Sequence, residues 1–378
     1  MDFSLTEDQR AIAEMADSVF RDYCTDERMR DFDLADDPFM RPLWQTCIET
    51  GLHALAIPEA FGGSGMGMTD LYCVLKAQGA GLGLVPLWQH QLAAACLAEH
   101  AAGTQAELVE QAAAGSALLS LSLQGLSASR GTKLTLTAGQ GHWLLHGSAN
   151  AVDLAGEAQA LLLVAETEQG PRLVLLNPRS EGVSLELGVA NHGQGIADVQ
   201  CSQVVVAEAQ VLPAVALPWL EQRAIAAAAA LQIGVSEEQV RRTVEYVNQR
   251  IQFDRAIGTF QAVQMSMADC HIAIEGLRSA LYQLCYRLDN NLPSDSEALA
   301  TRFLCTEAAH LVGHKAQHVH GGIGVDLTYP IHRFLYWSRY LSLVLGGSAA
   351  TLERLGDWLA NNNKLGWKYD LDENQNLC

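Results

Sequence analysis

Gln317-His318-Val319-His320-Gly321-Gly322-Ile323-Gly324 is the stretch on which the reading of this chain turns. It follows Glu307 to Ala316, an Ala-, Leu- and His-containing run with helical character. Three glycines within four residues then stop the helix and leave the backbone bare. Without a Cβ, such positions accept φ > 0 and let a ligand approach main-chain N–H groups. A Gly cluster taken singly is only a helix stop, so its meaning depends on what surrounds it.

Around this stretch, the helical period runs from Trp219 to Ala360 in four long segments, approximately 219–252, 260–289, 296–319 and 330–359. That is the spacing of an antiparallel helical bundle. Upstream the pattern is different. Leu118–Leu123, Lys133–Thr137, His142–His146, Ala160–Glu166, Arg172–Asn177 and Gln203–Val206 are short β-branched or alternating runs separated by Gly, Pro and Asn. They predict a compact β domain, and Pro213 and Pro218 mark its exit. Further upstream the chain reads as helical again. Ser4-Leu5-Thr6-Glu7 offers an N-cap followed by acidic first-turn residues. Trp44 to Leu55, Leu71–Gly79 and Gln89–Ala102 are expected as helices, with a Gly-rich loop at Phe61–Gly67. The expected fold is mainly α with a β middle domain: a helical domain over 1–115, a β domain over 116–212, a helical bundle over 213–360, and a polar, acidic tail over 361–378.

Composition narrows the function. Hydrophobic residues make up 49% of the 378 positions and charged ones 18%, which is globular rather than disordered. The formal charge of -19, from 24 basic and 43 acidic residues, argues against nucleic acid or an anionic membrane as partner. The basic run Arg241-Arg242 is too short to change that. A phosphorylated ligand would need local basic contacts. Nine single cysteines without a Cys-x-x-Cys pattern point to free thiols in a reducing compartment. The N-terminus lacks a signal-peptide pattern, and runs such as Ala224–Leu231 are too short to span a bilayer. A cytoplasmic location is expected.

The order of domains, together with several short motifs, resembles the acyl-CoA dehydrogenase family. Met1 to Gln9 is similar to the family's opening. Gly51-Leu52 through Ala56-Ile57-Pro58-Glu59-Ala60-Phe61-Gly62-Gly63 resembles its "GL…A-P-E-x-x-G-G" turn. Arg250-Ile251-Gln252-Phe253 with Phe260-Gln261 resembles its "R-x-Q-F…F-Q" segment, and Gln317 with Gly321-Gly322 its "Q-x-x-x-G-G" segment. Order and spacing cover nearly the whole chain. The resemblance implies FAD bound between two subunits, the flavin ring against one subunit's β domain and the pyrophosphate and adenine against the neighbour's bundle. It implies that Arg250 pairs with the pyrophosphate, where a guanidinium grips phosphate oxygens in a fork. Gln317 and Gly321 would meet the adenosine end. Gln252, Phe253, His320, Gly322 and Gly324 complete the expected cofactor set. The bland alternative for Arg250 is a surface ion pair with Glu245 or Asp254.

Other family features are missing. Oxidising an acyl-CoA to its α,β-enoyl-CoA needs a carboxylate for the α proton and a flavin for the β hydride, on opposite faces of the substrate. The family's base is commonly the Glu of a "Y-E-G-T" loop. Here that stretch resembles Leu345-Gly346-Gly347-Ser348, and glycine takes no proton. Other members carry the Glu on the first bundle helix before an Arg; here Gln222 precedes Arg223. Glu221 is adjacent, yet one residue along a helix is a rotation of about 100°. The flavin cradle "T-E-P-x-A-G-S-D" is replaced by Leu121–Arg130, and Ala350 stands where relatives keep a Gln. What serves a subunit's own flavin is lost, while what serves a neighbour's FAD remains. This mixture resembles the base-lacking subunit of heterotetrameric (α2β2) acyl-CoA dehydrogenases of bacterial steroid degradation, as does Gly324 to Arg333. The resemblance implies a second, base-carrying subunit that binds most of the acyl-CoA. It implies a sterol or bile-acid side chain as substrate, and electron-transfer flavoprotein or a similar acceptor. Two other readings stay open: a self-sufficient flavoenzyme using Glu221, and a flavin-free scaffold.

Some patterns invite other chemistry. His310, His314 and His318, with Glu307, share a helical face, but positions eight residues apart drift off register, so polar packing is expected rather than a metal. Met66 and Met68 are expected as packing residues, and Trp143 as core. Arg223 has two readings, a substrate contact as in a competent relative or a structural ion pair with Glu221 or Glu238; His332-Arg333 has two as well, a phosphate contact or, the preferred one, a cap on a helix after Pro330.

Overall fold

The computed structural model describes residues 4–126 and 133–362. Thr6 caps the first helix in a reciprocal box: its Oγ1 accepts from Gln9 N–H (3.2 Å), and its own N–H donates to Gln9 Oε1 (3.1 Å). From there run α1 (Glu7–Tyr23), α2 (Asp26–Leu34), α3 (Arg41–Glu49), α4 (Met68–Gly81), α5 (Leu87–His100) and α6 (Ala106–Ala113). The helix expected over Trp44–Leu55 stops at Glu49, because Gly51 takes φ +75° and turns the chain.

The sheet contains β1 (Leu119–Ser122), β2 (Leu134–Ala138), β3 (Trp143–Asp153), β4 (Ala160–Thr167), β5 (Gly170–Leu176), β6 (Val183–Val189) and β7 (Gly195–Val206), in the order β1-β4-β2-β3-β7-β6 with β5 paired to β4. β4 is parallel to β1 and β2; the other pairs are antiparallel. β4 is buried on both sides: Leu162 and Val164 join the main helical core, while Leu161, Leu163 and Ala165 join a second core inside the sheet. β3 and β7 are longer than the runs the sequence marks. Their pairing is interrupted between Leu145/Gly147 and Ala149/Val152, and such bulges break the alternation that identifies a strand. β6 escapes the pattern because most of its residues are exposed.

α7 (Ala216–Gln249) leads into a two-stranded hairpin, β8 (Ile251–Gln252) and β9 (Arg255–Ala256). α8 (Gln261–Asp289) and α9 (Asp295–His320) follow. The fourth expected helix is divided into α10 (Ile331–Leu343) and α11 (Ser348–Asn361). The break falls where Gly346 adopts φ +85°, a conformation that no helix continues through. α7 lies closely against α4. A Cβ added to Gly79 would overlap the Leu231 carbonyl oxygen, and one added to Gly234 would overlap that of Lys76. The buried run Ala226–Ala230 spans more than a full turn and keeps α7 thin on every side there.

Candidate functional site

Two regions hold the residues singled out above. The first is the end of the bundle where α7 and α9 finish. Tyr246, one turn before the end of α7, stacks on His320, the last residue of α9 (centroids 4.4 Å, planes 20° apart). This places Arg250 and the Gly321–Gly324 turn at the same end of the molecule. Arg250 caps α7, its N–H donating to Tyr246 O (2.9 Å) and its carbonyl accepting from Ile257 N–H (2.9 Å). Its side chain is exposed, and among the described residues it makes no ion pair. Glu245 is engaged by Arg241 instead (2.5 Å).

Gln252 and Phe253 follow on the hairpin, both exposed. Phe253 and Asp254 form its turn with φ +52° and +60°, a geometry for which Asn-Gly is the favoured pair. Phe253 is 84% exposed and meets Phe260 edge-on, while Arg255 lies 4.0 Å over the Phe260 ring.

Across the gap, Gly321 has φ +61°, and no atom lies within 4 Å of a Cβ built on Gly321 or Gly322. Their backbone therefore faces open space. Gly324 does the opposite job: a Cβ there would sit 3.0 Å from Gln317 Nε2. Gln317 donates from that nitrogen to the Gly324 carbonyl and locks the turn, while its Oε1 is buried without a partner among the described residues. His320 points inward. Its Nδ1 contacts Ala316 O (2.8 Å), which makes Nδ1 the protonated nitrogen, and burial lowers its pKa. Exposed guanidinium, bare glycine backbone and an orphaned amide oxygen fit the phosphate-and-nucleoside end of a dinucleotide.

The second region is the Val344–Gly347 turn, the expected place of a base. Gly346 offers only a carbonyl, which accepts from buried Arg302 at 3.2 Å (Nε) and 2.7 Å (Nη2). Arg302 also donates to Leu341 O (2.8 Å) and Ser342 O (2.9 Å). It thus ends α10 by satisfying the helix's last carbonyls and meeting the negative end of its dipole. Burial lowers the Arg302 pKa. Gln222, the other expected base position, donates to Asp295 Oδ1 (2.8 Å) and accepts from Ser294 Oγ (2.9 Å), tying α7 to the start of α9. Glu221 is gripped by both Nη atoms of Arg354 on α11 (2.5 and 2.9 Å).

That grip leaves Arg223 in an unexpected place. It lies 3.9 Å over the Trp219 ring and donates to Trp219 O (3.1 Å), rather than pairing with Glu221 or Glu238. Glu238 is held by Arg241 and Arg242. Arg333, expected as a cap, crosses to Asp33 on α2 (2.5 Å), while His332 Nδ1 meets Tyr329 O. His310 and His314 lie 4.5 Å apart, and His314 Nε2 accepts from Arg339. Among the described residues no group of three His, Cys, Asp or Glu could hold a metal ion, and no helix is long and apolar enough to cross a membrane. Trp143 is half-buried against the sheet core. Of the Leu121–Arg130 stretch, 127–130 lies outside the described residues, as do 363–378.

One titratable cluster went unmarked in the sequence. Asp153, at the end of β3, accepts at Oδ2 from Gln89 of α5 (3.0 Å) and from the Tyr340 hydroxyl of α10. Burial raises its pKa to about 6 despite both hydrogen bonds. His192 stacks on Tyr340 at 4.1 Å, and burial lowers its pKa to about 4. Asp153 is only 4% exposed and its Oδ1 is covered, so no substrate proton reaches it. It joins three parts of the fold.

The comparisons agree with this architecture. Residues 6–116 match the acyl-CoA dehydrogenase N-terminal domain and residues 219–360 the C-terminal domain. The acyl-CoA dehydrogenase FadE27 of Mycobacterium tuberculosis is 33% identical over 95% of this chain and 99% of its own. The ChsE4-ChsE5 complex from the same organism contains a chain 32% identical, with a TM-score of 0.89 over 96% of this chain and all of that one. A variant of the Tcur3481-Tcur3483 steroid ACAD contains one 33% identical, with a TM-score of 0.88 over 94% of this chain and 98% of that one. By fold, by domain matches and by identity along nearly its full length, the chain belongs to the acyl-CoA dehydrogenase family.

Proposed function

We propose that this chain is the base-lacking, FAD-sharing subunit of a heteromeric (α2β2) acyl-CoA dehydrogenase. The complex oxidises a CoA thioester to its α,β-enoyl-CoA and passes electrons to electron-transfer flavoprotein or a similar acceptor. A steroid side chain is the substrate this reading favours, because one of the similar two-chain assemblies is named as a steroid ACAD. The observation that carries the proposal is a pairing of loss and retention. Gly346 and Gln222 stand at the two expected base positions and neither can take a proton, while Arg250, Gln317 and the open Gly321-Gly322 backbone form an intact edge.

FAD, when bound, supplies the hydride acceptor. Arg250, unpaired on the surface, neutralises its pyrophosphate through a forked contact. Gly321 and Gly322 let the adenosine lie against main chain, and Gln317 holds their turn in shape through Gly324. Phe253 adds an apolar contact at the rim. The partner subunit supplies the carboxylate. Glu221 is a poor substitute, since its oxygens are already committed to Arg354.

Expression alone and with the partner tests this. The chain alone is expected to be colourless and inactive, and the pair yellow and active. Arg250→Ala in the pair is expected to cut FAD retention at least about tenfold (about 1.4 kcal/mol) without moving the melting temperature. Glu221→Gln is expected to leave turnover intact. A yellow, active homo-oligomer of this chain would refute the proposal.

A further inference from the structure

A wide cavity belongs to neither region above. It holds about 920 Å³ between α2, the β6–β7 turn and the start of α10, within the range of roughly 300–1,000 Å³ seen for small-molecule sites. Its walls are stitched to one another. Gly195 N–H donates to Pro38 O (2.7 Å), Leu154 N–H donates to Gly195 O (2.9 Å), and Arg333 bridges to Asp33 (2.5 Å). The cavity is therefore preformed rather than a gap between loose parts.

Three aromatic rings, Phe32, Tyr336 and Trp337, line it, with His192. Around it, Leu34 (83% exposed), Leu187 (71%), Leu327 (71%) and Val189 (68%) stand in water, a concentration of large aliphatics that only a covering apolar body would relieve. The charges nearby leave a negative excess. Asp33 is taken by Arg333 and Glu157 by Arg41 (2.8 Å), which also approaches Asp37 (3.9 Å). Arg41 carries one charge for both Glu157 and Asp37, so with Arg30 and Arg333 three cations face the four carboxylates Asp33, Asp36, Asp37 and Glu157. An anionic ligand would lose its hydration here and meet like charge. Flat aromatic walls favour a rigid ring system over a flexible chain, which would lose more conformational entropy on binding.

We propose that this cavity is a second ligand site, for an uncharged, rigid polycyclic molecule. It does not depend on FAD sharing and uses none of the residues assigned to it. Calorimetric titration of the full-length chain, alone and with its partner subunit, would test it, with androstenedione as the uncharged ring probe and cholate as an anionic one. Saturable androstenedione binding is expected in both preparations, with cholate at least about tenfold weaker. Leu187→Asp, at an exposed rim position that does not threaten folding, is expected to weaken androstenedione at least about tenfold with melting temperature and FAD content unchanged. Tyr336→Ala is expected to weaken it as well. No saturable binding, equal binding of cholate, an unaltered Leu187→Asp variant, or loss of binding when the partner is present would each overturn the proposal.

Discussion

Asp153→Asn is expected to stabilise this protein at neutral pH, although it removes a hydrogen-bonded carboxylate from the interior. The carboxyl has a folded pKa of about 6 because burial penalises its charge more than Gln89 and Tyr340 relieve it. The unfolded value is 3.8. A group with a raised folded pKa binds its proton more tightly in the native state. Its contribution to stability is full below the unfolded pKa and is lost as pH rises through the folded one. The gap between the two values corresponds to about 3 kcal/mol above pH 6. Asparagine keeps a neutral acceptor for Gln89 Nε2 and the Tyr340 hydroxyl and never ionises. Thermal melts of both proteins at pH 7.5 and pH 4.5 give the answer. The variant is expected to gain about 1–3 kcal/mol at pH 7.5 and to keep only about a third of that advantage at pH 4.5, where the unfolded carboxyl is still mostly ionised. Equal destabilisation at both values would show that the ionised carboxylate contributes net stability, and would refute the reasoning.

Three further outcomes are expected. Gly234→Ala should drive a methyl group into the Lys76 carbonyl and force α4 and α7 apart, costing about 1–3 kcal/mol in urea unfolding, whereas Gly276→Ala, with open space around it, should be neutral or stabilising. Arg302→Met should leave the carbonyls of Leu341, Ser342 and Gly346 unpaired, costing about 3 kcal/mol and raising hydrogen exchange selectively over 341–347. Buried neutral His90 (pKa lowered to about 3) and His192 (to about 4) should make the protein acid-sensitive, because the unfolded chain protonates them below pH 6.5 and the folded one does not. Each should cost about 2 kcal/mol by pH 5, and His192→Phe should flatten the decline.

Much of the fold was legible locally. The reciprocal cap at Thr6, the helical period of the bundle, and the arrest of α9 by Gly321 depend on residues a few positions apart, so spacing alone reveals them. The family resemblance rested on motifs of the same short kind. Strand lengths were harder, since the bulges in β3 and the solvent-facing residues of β6 erase the alternation that a strand needs to be read.

What the sequence by itself determined is the order of elements and the absence of a carboxylate at 346 and 222, because residue identity and local periodicity suffice for both. Only the tertiary structure decided that Tyr246 and His320 bring Arg250 to the glycine turn, that Arg302 closes the base-position loop, that Arg354 takes Glu221, and that Asp153 is sealed among three segments. Those contacts join positions tens to hundreds of residues apart. Their energies come from burial and mutual geometry, which no short window of sequence encodes.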